Sequence, residues 1–323
     1  MNRDDHRIEI HRLALCGGED QLAVAVGREL AQRFLDTSRF RDVVTLVEDT
    51  RRVVDDPLMM AQEAEAHRLV GGLHRAHGLF REAHQQARNA DISTRARILI
   101  GLGNICRNQD QLDQSVTHYR QALELYREDG DLTGQGIALN HIGRIHMRMG
   151  EHEEAAQHFD AALEVRRQAH DRRGEGVTLN NIGQLQRTLG HFDEAQERYE
   201  AALTIRREIG DRQGEAVSLN SLSSIHRNKG DFDAAFDASQ RAAIISSEIG
   251  DKRGQAVAET SLGITRAEQG KLEEALQHHR AALAIRDSIN DTRGVEISKR
   301  EIAAIRANVE ASGMAPLSDG EAP

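Results

Sequence analysis

Asn140, Asn180 and Asn220 stand 40 residues apart, and Arg107, Arg187 and Arg227 share a second register on the same beat. The chemistry open to such a set is recognition. A carboxamide presents a donor and an acceptor together and so can grip a backbone peptide group, while a guanidinium offers a planar fork suited to carboxylate or phosphate. Two plainer accounts stay open: the asparagines descend from one duplicated unit, and the arginines form a solvated face paired with nearby acids.

Groups suited to covalent or metal chemistry are scattered. Cys16 and Cys106 are the only cysteines, neither in a metal or redox spacing, which implies two unpaired thiols in a reducing compartment. Among 16 histidines, His67, His74, His77 and His84 have helical spacings, and His74 with His77 can share a face. Neither an HExxH nor a Cys-His pattern accompanies them, so no metal site is expected. His146 and His226 occupy one repeat position, where ligand contact or pH sensitivity competes with satisfied packing. The carboxylate pairs Glu153/Glu154 and Glu273/Glu274 sit where they favour the start of a helix. With no P-loop, nucleophile elbow or dinucleotide fingerprint, neither catalysis nor a cofactor is expected.

The 323 residues carry a formal charge of -10 and a pI near 5.9, which argues against holding nucleic acid or an anionic membrane with the whole surface. Charge interrupts every short apolar run near the N-terminus, so no signal-peptide core is read there, and no segment approaches the length needed to span a bilayer. A cytoplasmic protein is expected.

The elements that must position these residues follow from a period. Asp131, Asp171, Asp211, Asp251 and Asp291 are 40 residues apart, with Gly134, Gly174, Gly214, Gly254 and Gly294 three positions on. A second series, Gly150, Gly190, Gly230 and Gly270, splits each unit into two apolar-periodic stretches of helical length. Each unit therefore reads as a helical hairpin. Gly210 and Gly250 stop one helix, and Asp211 and Asp251 accept from free amides of the next. Gly214, inside a helix, costs about 1 kcal/mol against Ala, which close approach of the preceding helix offsets. The same reasoning sets Gly143, Gly183 and Gly263 against Ala155, Ala195 and Ala275.

Leu179, Ile182, Gly183, Ala195, Tyr199 and Ala202, repeated as Leu139, Ile142, Gly143, Ala155, Phe159 and Ala162, occupy the signature places of the tetratricopeptide repeat family, which the chain resembles. Its 40-residue unit is similar to the longer variety of the Pins and kinesin light chain types and of bacterial regulator tails. Ser239 and His279 depart from the pattern where an aromatic is expected, and Asp110 replaces an inner-turn Gly. The resemblance implies an all-α, right-handed superhelical solenoid of about seven hairpins. Its array is expected over 56–291, with repeats near 57–90, 93–130, 132–170, 172–210, 212–250 and 252–290. Residues 1–55 supply N-terminal helices, two of them read from 29–53 as a possible degenerate repeat; 292–311 forms a capping helix and 312–323 a disordered tail. Peptide-pheromone-controlled phosphatase regulators also use such repeats, but residues 1–55 look too short for their N-terminal bundle.

In this family the first helices line a concave groove, which the resemblance places at Asn104, Arg107, Asn140, Arg144, Arg148, Asn180, Gln184, Arg187, Asn220, Ser224 and Arg227. With their neighbours these positions hold five Arg, six Asn and one acid, a local reversal on an anionic chain. The implied partner is a polypeptide segment with acidic side chains that complement this charge, held without metal or cofactor. Neutral hydrogen bonds contribute only about 0.5–1.5 kcal/mol each, and ordering a flexible segment costs about 1–2 kcal/mol per residue. Apolar anchors are therefore needed, and Ile100, Met147 and Ile264 are the candidates. The alternative is a sensory module of a bacterial signalling or transcription regulator of the STAND or SARP type, in which this chain is a fragment binding a partner domain or small effector.

Overall fold

The computed structural model of the chain describes residues 3–37, 39–289 and 291–311; the expected tail at 312–323 lies outside them. Among the described residues every regular element is helical. They are α1 (Arg3–Gly17), α2 (Asp20–Asp36), α3 (Phe40–Arg51), α4 (Pro57–Leu69), α5 (Leu73–Gln86), a single 3-10 turn (Ala87–Asn89), α6 (Ile92–Asn108), α7 (Leu112–Asp129), α8 (Leu132–Met149) and α9 (His152–Gln168). There follow α10 (Arg172–Thr188), α11 (Phe192–Glu208), α12 (Arg212–Asn228), α13 (Phe232–Glu248), α14 (Lys252–Glu268), α15 (Leu272–Ser288) and α16 (Thr292–Ala311). Two compact units divide the chain, one up to Val165 and one from Arg166.

In the first unit α1 and α3 pack on α2, and the hairpins α4/α5 and α6/α7 follow, with α8 against α7. The helix α1 was not assigned from sequence, because its apolar residues are isolated among charges. It is tied down instead by specific polar contacts: Arg33 pairs with Asp4 at 2.9 Å and the buried His11 bonds the Thr50 hydroxyl at 2.9 Å. The N-terminal region is thus three helices, of which α2 and α3 overlap the two read from 29–53.

The second unit is built from α10/α11, α12/α13, α14/α15 and α16, each hairpin packing on the next. The aspartates start these helices as the spacing implies: Asp171, Asp211, Asp251 and Asp291 accept from the amides of Gly174, Gly214, Gly254 and Gly294 at 2.8–3.1 Å. Gly214 earns its place by proximity, since a Cβ there would sit 2.8 Å from the Arg206 side chain. Arg166, Arg206 and Arg286 are buried and donate to the carbonyls of Gly174, Gly214 and Gly294, stitching the end of one hairpin to the start of the next. Arg206 and Arg286 also reach the Ser218 and Ser298 hydroxyls, at 2.7 and 2.6 Å. At the equivalent junction before Gly254 the residue is Ser246, buried with its hydroxyl unpartnered.

At the inner glycines the nearest neighbour is a ring of the second helix. A Cβ at Gly143 would meet the Phe159 ring at 2.8 Å, one at Gly183 the Tyr199 ring at 2.8 Å, and one at Gly263 the His279 ring at 2.7 Å. Gly143 also meets the Ala155 carbonyl, at 3.2 Å, as the spacing implies. The ring sixteen residues on fills the space because it is large enough to bridge both helices, whereas the alanine methyl is not. Where the ring is lost the glycine is lost with it: Ser239 donates to Ser223 at 2.7 Å, both fully buried. Asp110 and His170 hold the left-handed turn at φ 63° and 53° that glycines hold at the other turns.

Two stability predictions follow from the ring positions. Ser239→Tyr alone overpacks against Ser223 and costs about 1–3 kcal/mol, and Ser223→Gly alone strands a buried hydroxyl at about 1–3 kcal/mol. The double variant recovers at least 1 kcal/mol of the sum, roughly, in a urea-denaturation cycle. Burial, then the neighbouring His278 and Arg286, depress the His279 pKa from 6.5 to about 4. The unfolded chain therefore takes up a proton below pH 6.5 that the folded one refuses until about 4, so stability falls across that window by up to about 3 kcal/mol. His279→Phe flattens that loss when unfolding is measured at pH 7 and pH 5.

Candidate functional site

In the second unit α12 touches both α10 and α14 directly, while α11 and α13 do not pack to the same extent. The first helices therefore form one wall on the more tightly curved side of this unit. Asn180, Gln184 and Arg187 share a face of α10, and Asn220, Ser224 and Arg227 the corresponding face of α12; all six are half-buried. The Ser221 hydroxyl reaches the Asn180 oxygen at 3.4 Å, linking the two helices. Arg227 lies 3.5 Å from Glu268 of α14, and its Nε and the Asn220 oxygen are buried without a hydrogen-bond partner. Burial lowers the Arg227 pKa, Glu268 opposes that, and the charge of Arg187 adds to the lowering. Arg187 and Arg227 are thus close enough to repel.

The first unit has a matching pair. Arg107 of α6 is half-buried and Arg144 of α8 is exposed, yet burial of its surroundings and then the charge of Arg107 lower the Arg144 pKa. The Asn104 oxygen accepts from the Tyr119 hydroxyl at 2.9 Å. Arg148 is committed within the chain, donating to the Arg107 carbonyl at 2.9 Å and pairing with Asp110 at 2.8 Å. Asn140 is 5% exposed, so a ligand would meet its neighbours first.

His146 does not face this surface. It is buried, lies 2.5 Å from Glu151 and stacks on the His158 ring with centroids 5.2 Å apart, which is the satisfied-packing alternative. No three His, Cys, Asp or Glu converge in a metal-binding arrangement among the described residues, and Cys16 and Cys106 are both free. A cavity of about 490 Å³ opens between α1 and α3 over Phe34 and Leu46. Its rim arginines Arg12, Arg39 and Arg52 are already paired with Glu9, Asp42 and Asp49.

One feature of the wall escaped the sequence reading. Val177, Val217, Val257 and Ile297 are exposed aliphatic residues at the same 40-residue interval, three positions before the asparagine register. The signal was the same period, but attention to polar residues passed over it.

Models of the tetratricopeptide repeat match residues 98–133, 134–208 and 214–288, more than half of the chain. No curated protein matches the sequence. Among solved structures, BtubC (BKLC) of P. vanneervenii is 22% identical, with 71% of this chain and 92% of that one covered and a TM-score of 0.51. A STAND signal-transduction ATPase with a tetratricopeptide repeat sensor from Pyrococcus horikoshii is 18% identical at a TM-score of 0.66. It covers 91% of this chain, which spans only 44% of that protein's chain. A Rap protein complexed with competence and sporulation factor is 16% identical at a TM-score of 0.63 and covers 95% of this chain and 99% of its own. No helix among the described residues is long and apolar enough to cross a membrane.

Proposed function

The chain belongs to the tetratricopeptide repeat family, whose arrays serve as protein-interaction scaffolds, and from that premise we propose that its first helices hold an acidic polypeptide segment. The observation that carries this reading is the arginine pair of each unit, Arg107 with Arg144 and Arg187 with Arg227: burial first, and then the charge of the neighbouring arginine, lowers the proton affinity of Arg144 and of Arg227. Two cations kept close on a chain of net charge -10 stand in an unfavourable field that a bound carboxylate relieves. Asn104, Asn180, Gln184, Asn220 and Ser224 flank the pairs with amides and a hydroxyl for the segment's backbone, and Asn140 supports them from beneath. Arg148, tied to Asp110, contributes to the field more than to contact. No reaction is assigned to the site.

A second reading is a sensory module of a larger regulator. What favours it is the extent of the likeness to the STAND protein's repeat sensor and to the Rap protein complexed with competence and sporulation factor, which span over nine-tenths of this chain. Under that reading the same face receives a partner domain or a small peptide effector.

The test is a titration of Glu-rich peptides against the wild type and the Arg144→Glu/Arg187→Glu/Arg227→Glu variant. Charged hydrogen bonds contribute about 1.5–3 kcal/mol each, so the variant is expected to bind at least tenfold more weakly, roughly, and wild-type binding to weaken with added salt. Equal affinity of the two proteins would reduce these arginines to solvated surface.

A further inference from the structure

Val177, Val217, Val257 and Ile297 occupy one position of α10, α12, α14 and α16 and remain 37, 46, 45 and 42% exposed. Single exposed aliphatics need no explanation, but four β-branched residues at one repeat position make a rail. The polar strip lies on the same face, since Asn180, Asn220 and Thr260 come three residues later and Gln184, Ser224 and Ile264 seven later. Four residues before the rail stand Arg173, Gln213, Arg253 and Arg293; ten after it stand Arg187 and Arg227. Along α10 the wall runs cation, aliphatic, amide, cation; α12 begins with Gln213 instead, and α14 ends with Thr260 and Ala267. Acids stand against the strip at Asp211, 3.6 Å from Arg173, and at Glu268, 3.5 Å from Arg227.

We propose, resting on the reading above, that the segment bound by the second unit is an amphipathic α-helix whose aliphatic seam lies on Val177, Val217 and Val257 towards Ile297, with acidic residues on both flanks of the seam. Spacing favours a helix. Directly packed helices have axes about 8–10 Å apart, so the rail offers one aliphatic at about that step. An α-helix returns a residue to one face every seventh position, about 10.5 Å along its axis. An extended chain returns one at about 6.7 Å or 13 Å, and both miss the step. The two cationic rows, Arg173, Arg253 and Arg293 on one side and Arg187 and Arg227 on the other, then select acidic flanks. A helix of about 20 residues spans the three packed first helices.

The test uses synthetic peptides of about 21 residues: one with leucines at the first and fourth places of each heptad and glutamates elsewhere, one of scrambled order, one with a central proline, and one with lysine for glutamate. The first is expected to bind and to gain helical circular dichroism on binding. The other three are expected to bind about tenfold more weakly or worse. Val217→Asn/Val257→Asn, and the isosteric Val217→Thr/Val257→Thr where the first pair unfolds, reduce its affinity about tenfold. Failure of the heptad peptide to bind at about 1 mM, unchanged affinity in both valine variants, or equal binding by the proline or lysine peptide overturns the proposal. If the scrambled acidic peptide binds as well and loses that binding in Arg187→Glu/Arg227→Glu, the helix falls while acidic-segment recognition stands. If charge has no effect on any peptide, both fall.

Discussion

Everything the wall presents depends on a ring driven into a glycine. In the hairpins that follow α5, an aromatic side chain of the second helix occupies the space that a Cβ would take on the first: Tyr119 at Gly103, Phe159 at Gly143, Tyr199 at Gly183, and the imidazole of His279 at Gly263. The contact fixes how far apart the two helices lie and how each is rotated. Because a helix places residues in fixed angular order, setting one face against a ring determines which residues point the other way. Asn180, Gln184 and Val177 are on the outer face of α10 because Gly183 and Leu179 are on the inner one. The hydrogen-bonded Ser223/Ser239 pair shows that the constraint is the distance and not the ring itself, since a smaller pair bridges the same gap by a different force.

A second layer of contacts joins one hairpin to the next. Glu175 accepts from Arg167 and Arg172, and Arg172 reaches Glu208; Glu215, Arg207, Arg212 and Glu248 repeat the pattern. Burial raises the affinity of Glu175 and Glu215 for a proton, but the arginine hydrogen bonds and charges outweigh it and hold both carboxyls below their ordinary range. These ladders consume much of the acidic and basic content near the helix starts. Arg187 and Arg227 stand outside these ladders, and Arg227 has Glu268 beside it at 3.5 Å.

The repeat unit, the capping aspartates and the breaks at glycine were legible because each is a local rule with a single geometric cause, and a period of 40 made the rules redundant. The rings that lie nearest the inner glycines were not legible, because sequence spacing identifies facing helices, as it does for Gly143 and Ala155, but not which side chain crosses between them. The helix α1 was missed since Asp4 and His11 secure it through contacts distant in sequence, with Arg33 and Thr50. On the wall, sequence located the arginines but could not show that Arg148 is tied to Asp110, that Asn140 is covered, or that His146 turns to Glu151. Those facts belong to side-chain directions, which a linear pattern leaves undetermined.

The junction at Ser246 differs from its counterparts at Arg206 and Arg286 in lacking a guanidinium to grasp the next helix, and its hydroxyl is buried with nothing to bond. A stack whose seams are unequal does not come apart uniformly. The seam between α13 and α14 is held by the packing of the two helices, whereas its counterparts add a guanidinium bonded to the next helix's first carbonyls, so replacing Arg206 or Arg286 removes a tie that this seam never had.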